Sequence, residues 1–115
     1  MIRTLALFYA ASDINRARCL FESALGIEFR EEHRLETFTC FVAELSRGMA
    51  LELHRTGRGE FTRMMLEFEV ADIDAVAAAL TAAGFEVRRR GRVVLVSDPN
   101  GNTIALSRPA RAPRR

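Results

Sequence analysis

Apolar side chains occupy both parities over residues 4–10, with Leu5, Leu7 and Tyr9 set against Ala6, Phe8 and Ala10, a pattern that predicts a strand apolar on both faces. From Ile14 the spacing changes. Ile14, Ala17, Phe21 and Ala24 recur at intervals of three and four, the stripe of an amphipathic helix, with Asp13 placed to cap its first amides and Gly26 to end it in a left-handed residue. Three strand candidates follow, at 27–33, 38–45 and 49–54. The order then returns: a strand at 63–70, a helix at 73–83 with Ile73, Val76, Ala77 and Leu80 inward, and strands near 85–90, 92–97 and 103–107.

The two passes agree in detail. Asp13-Ile14 opens a helix that closes at Gly26 and is followed by Ile27-Glu28-Phe29-Arg30; Asp72-Ile73 opens one that closes at Gly84 and is followed by Phe85-Glu86-Val87-Arg88. A period of about half the chain in two copies is too long and too sparse for a solenoid. The sequence therefore predicts two tandem βαβββ modules, 1–56 and 61–108, within one domain of residues 1–108. The polar, glycine-broken stretch 55–60 marks the boundary between them. A doubly wound parallel sheet needs a crossover helix after each strand, so the order is α+β. The proline-broken basic tail, 109–115, is expected to be disordered.

Composition narrows the classes. With 49% hydrophobic residues in 115 positions the chain can bury a core of its own. Its longest apolar stretch, Leu5 to Ala11, is far short of the ~20 residues of a membrane span, and no cleavable leader precedes it. The expectation is a cytoplasmic protein without a membrane role. Cys19 and Cys40 offer neither a disulfide framework nor a Cys-x-x-Cys knuckle and read as small core or interface fillers. All 17 basic residues are arginine, but they interleave with 15 acids to a net charge of +2, which argues against nucleic acid as a partner.

Strand parity selects the residues that could carry chemistry. Glu52 and His54 stand two apart and share a face, with β-carbons roughly 6.5–7 Å apart, close enough to grip one ligand or to act as an acid/base pair. Met65, Glu67 and Glu69 share the inward face of their strand, and Glu67 is the stronger candidate of the two acids. Phe8, on the Ala6 face, offers an aromatic floor. His33 lies in the charge run Glu31, Glu32, Arg34, which reads as a solvated face. There is no glycine-rich phosphate loop and no nucleophile elbow, so nucleophilic catalysis has no support.

Two βαβββ modules, a helix ending in Leu25-Gly26, and Asp98-Pro99-Asn100-Gly101-Asn102-Thr103-Ile104-Ala105-Leu106 at the close together resemble the vicinal oxygen chelate superfamily over residues 4–108. That group includes glyoxalase, the bleomycin resistance proteins, fosfomycin-modifying enzymes and extradiol dioxygenases. The resemblance implies a cup-shaped, incompletely closed β-sheet barrel with the helices outside. It also implies metal-ligand positions on the first and last strand of each module. Counted from the helix-capping aspartates, these fall on Ala6 and Met65, with Glu52 and Ala105 on the last strands.

One carboxylate cannot hold a divalent ion against water. The resemblance thus implies a member with no metal and no other cofactor, no catalytic residue, and a cup lined by Ala6, Phe8, Glu52, His54, Met65, Glu67 and Ala105. Such a protein would bind a small organic molecule in the cup or at a dimer crevice, as the antibiotic-binding resistance proteins do, and would be a homodimer. The alternative it implies is a glyoxalase- or dioxygenase-type metalloenzyme with atypical ligands such as Glu52, His54 and Glu67. Bleomycin binders tend to be acidic, so a pI near 8.9 speaks against a cationic drug of that kind.

Overall fold

The computed structural model describes residues 1–34, 38–57 and 62–109. Its elements run β1 (Thr4–Ala10), α1 (Ile14–Leu25), β2 (Arg30–Arg34), β3 (Phe38–Glu44), β4 (Ala50–Thr56), β5 (Met65–Glu69), α2 (Ile73–Ala82), β6 (Arg88–Arg90), β7 (Val93–Ser97) and β8 (Thr103–Ser107). The order is βαβββ twice, an α+β fold. The expected tail lies outside the described residues from 110 onward, as do positions 58–60 of the boundary stretch.

Two strands start later than the apolar pattern suggested. Ile27 and Phe29, then Phe85 and Val87, pack against the core as the chain turns back from each helix, so β2 begins at Arg30 and β6 at Arg88. The helix ends differ too. Gly26 ends α1 with φ 64° as expected, but Asp13 caps nothing with its side chain. It already has a helical backbone (φ −109°, ψ −19°), whereas Asp72 is extended (φ −132°, ψ 95°) and its carboxylate accepts from the amides of Asp74 and Ala75 at 3.1 and 3.0 Å.

Each module folds into a four-stranded sheet, ordered β1-β4-β3-β2 and β5-β8-β7-β6, and the sheets are not closed into a barrel. In each, the first and last strands pair in parallel and the remaining pairs are antiparallel. Parity assigns the faces. Leu7, Tyr9, Phe41, Leu51 and Leu53 of the first sheet, with Val94, Val96, Ile104 and Leu106 of the second, are buried against the helices. Fully burying an aliphatic or aromatic side chain contributes about 1.5–3 kcal/mol, so this face dominates stability.

The buried residues of both modules form one cluster. Helix α1 packs on α2, and Phe21 meets Phe68 of β5 edge-on at 6.3 Å. Arg16 stacks 3.8 Å over Phe85 and donates to the carbonyls of Ala83 and Gly84. Tyr9 donates to Asp98 at 2.6 Å, and the Asn100 amide donates to the Phe8 carbonyl at 2.6 Å, tying β1 to the turn between β7 and β8. The opposite face of each sheet, with Ala6, Phe8 and Glu52 on the first and Met65, Glu67 and Glu69 on the second, is its open face. Among the described residues no helix is long and apolar enough to cross a membrane.

Candidate functional site

The open face of the first sheet is assembled by register. Ala6 stands beside Glu52 and Phe8 beside His54 across the β1–β4 pair; Cys40 stands beside His54 and Val42 beside Glu52 across β3–β4; Glu32 stands beside Cys40 across β2–β3. From the end of β2, Arg34 reaches over β3 to Glu52, donating from Nη1 to Oε1 and from Nη2 to Oε2, both at 2.9 Å. Its Nη2 also lies 3.3 Å from Glu32 Oε2. Arg30 extends the network to Glu32 and Glu44 at 3.9 and 3.8 Å.

His54 Nε2 lies 2.8 Å from Glu52 Oε1; an ionised carboxylate only accepts, so this nitrogen carries the hydrogen. The ring of Phe8 leans on the imidazole, with centroids 5.1 Å apart at 33°. Glu52 and His54 are buried, at 7% and 5% exposure, while Phe8 is 52% exposed. The Arg34 guanidinium holds the Glu52 carboxyl below its ordinary range, against the opposing effect of burial, and the His54 hydrogen bond adds to the lowering. Glu52 in turn raises Arg34, and burial pushes the Cys40 thiol up. Glu52 is thus an internally paired carboxylate, and Phe8 and Arg34 are the more exposed groups beside it.

On the second sheet Met65, Glu67 and Glu69 face outward and are exposed, Met65 at 66%, while Ala105 is buried. Glu67 accepts a hydrogen bond from Ser107 at 3.3 Å. Register differs between the two modules. Ala6 pairs with Glu52, whereas Ala105 pairs with Glu67 and not with Met65. Strand β1 runs four residues past Ala6, to Ala10, but β5 runs only two past Glu67, to Glu69.

Ala6, Phe8, Met64 and Asn100 line a cleft of about 360 Å³ between the modules. Glu67 is not grouped with Glu52 and His54. Among the described residues the donors that do converge are Cys40, Glu52 and His54, with ligand atoms within 4.8 Å of one another. Cys40 and Arg34 are the site residues that sequence reasoning passed over. Parity alone placed Glu52 and His54 together, but both missed residues come from neighbouring strands.

A model of the glyoxalase-like domain matches residues 6–107. The chain belongs to the glyoxalase-like domain family. Similar solved folds include TnmS3, an antibiotic-binding protein from Streptomyces sp. CB03234, at 18% identity and TM-score 0.69 over 96% of both chains. The oxidase ChaP-H2 is 20% identical with TM-score 0.69 over 97% of both chains, and a glyoxalase family protein from Enterococcus faecalis is 22% identical with TM-score 0.65 over 93% of this chain and 96% of that one. No curated protein matches.

Metal-dependent members of this superfamily set the question of whether these residues fit a metal at the inherited positions. They do not. Ala6 and Ala105 carry no donor atom and Met65 offers only a thioether, which leaves Glu52 as the single carboxylate of that set.

Proposed function

We propose that this glyoxalase-like domain binds a small organic molecule on its open sheet faces, without a metal at the inherited positions, and that a second copy of the chain closes those faces into a cup. The observation that carries the reading is apolar surface where a lone soluble sheet would be polar. Phe8 is 52% exposed, Met64 44% and Met65 66%, all at the inner edges of the two sheets. Exposed apolar groups gathered beside a concavity mark ligand or partner surfaces, and a cleft of about 360 Å³ is within the range of small-molecule sites.

The charged groups around Phe8 are already compensated, with Arg34 on Glu52, so burying a neutral ring there strands no charge. The ligand class this favours is a largely apolar molecule that stacks on Phe8 and hydrogen-bonds to Arg34. Sequestration on such a surface has a counterpart in TnmS3, an antibiotic-binding protein of similar fold. A metalloenzyme built on Glu52, His54 and Glu67 is disfavoured, because those acids stand on different sheets of the chain. A cytoplasmic setting and indifference to nucleic acid complete the proposal.

Nile red, a neutral planar probe, tests it by fluorescence titration. The expected result is saturable binding to the wild type, weakened at least ten-fold in Phe8→Ala. Equal affinity in both proteins would overturn the assignment.

A further inference from the structure

We propose that Cys40, Glu52 and His54 form a binding site for a thiophilic divalent cation of the zinc class, closed in the metal-free protein by Arg34. This goes beyond the small-molecule reading and does not depend on it. The three side chains project from one face of adjacent strands, Cys40 directly beside His54 and Glu52 two residues along. All three residues are buried, Cys40 at 1% exposure, and their ligand atoms lie within 4.8 Å of one another.

Zinc takes sulfur at about 2.3 Å and imidazole nitrogen or carboxylate oxygen at about 2.0–2.2 Å, which puts tetrahedral ligand atoms roughly 3.3–3.8 Å apart. Side-chain shifts of about 1 Å close the present cluster to that size. The cation would take the place of the hydrogen that His54 Nε2 now shares with Glu52 Oε1. Three protein donors leave a fourth position open. The set differs in kind from the inherited one, because a thiolate selects zinc, cadmium or cobalt over magnesium or manganese.

The charges balance on both sides of the exchange. At present the Glu52 carboxylate is neutralised by the Arg34 guanidinium, beside the His54 imidazole and the Cys40 thiol, which burial pushes up. With the ion bound, two positive charges meet the carboxylate and the Cys40 thiolate; the thiol proton passes to solvent, the imidazole hydrogen moves from Nε2 to Nδ1, and Arg34 withdraws to Glu32 and water. No net charge is buried in either state. Arg34 can leave, since its side chain is 41% exposed at the end of β2.

Cobalt(II) added to the purified metal-free protein reads the site through the thiolate-to-cobalt charge-transfer band in the near ultraviolet. One ion per chain with that band is expected for the wild type. The band should vanish in Cys40→Ser, affinity should fall at least ten-fold in His54→Gln, and Arg34→Gln should bind about five-fold more tightly or better, its carboxylate no longer held by a guanidinium. Circular dichroism checks each fold, and Cys40→Ala stands in should Cys40→Ser not fold. Binding without the band, binding unchanged by the Cys40 variants, or no binding at millimolar ion by either wild type or Arg34→Gln would each overturn the proposal.

Discussion

Arg34 crosses the whole of strand β3 to hold Glu52 by two parallel contacts of 2.9 Å, passing over Cys40 on the way. The two partners are not equivalent. Glu52 is buried and Arg34 is partly in water, so removing one or the other leaves very different remnants.

The first expected outcome follows from that asymmetry. Arg34→Leu strands a buried carboxylate with His54 as its one remaining side-chain partner among the described residues, whereas Glu52→Leu leaves a guanidinium that turns to solvent and to Glu32. Thermal melts should show Arg34→Leu lowering Tm clearly more than Glu52→Leu, with the double variant recovering part of the loss. The reverse ranking would mean that the pair is not what keeps Glu52 charged in the interior.

Acid should find the same pair. The folded-state pKa of Glu52 is lowered, so its contribution is complete above the ordinary carboxylate value of 4.5 and is lost as pH falls from there through the lower folded value. Urea midpoints measured on the acid side of pH 4.5 should fall more steeply for wild type than for Glu52→Gln. Parallel curves would exclude the linkage.

Alkali should act through Tyr9, the sole tyrosine of a chain without tryptophan. Burial, and then its hydrogen bond to Asp98, raise the phenol, so the neutral form is favoured in the fold. The resulting stability is present below the ordinary value of 10.0 and is lost as pH rises above it. Tyrosinate absorbance is expected to appear together with unfolding and not before it. Tyr9→Phe, which takes one donor from a buried aspartate that three other N–H groups also serve, should cost about 1–3 kcal/mol by urea denaturation.

Much of this was legible in the chain because it depends on local periods. Two repeats of strand and helix spacing predicted βαβββ twice, and the period of two sufficed to put Glu52 and His54 on one face and Met65 and Glu67 on another. What parity cannot supply is register between strands. That Cys40 stands beside His54, or that Arg34 lies across both, depends on how β2, β3 and β4 are aligned, and nothing in the apolar pattern states the alignment. The charge run around His33 read as a solvated face for the same reason: Arg34 is polar in sequence, and its partner is eighteen residues away.

The most direct test of the proposed covered cup is the peroxide oxidation rate of Met65 in the native protein, followed by peptide mass spectrometry with Met1 as the internal reference. Both methionines are exposed in the isolated chain, at 66% and 112%. If a second copy and a bound molecule cover the open faces, Met65 should oxidise at least ten-fold more slowly than Met1 at micromolar protein, and the protection should fade on dilution. Equal rates for the two at every concentration would contradict the account.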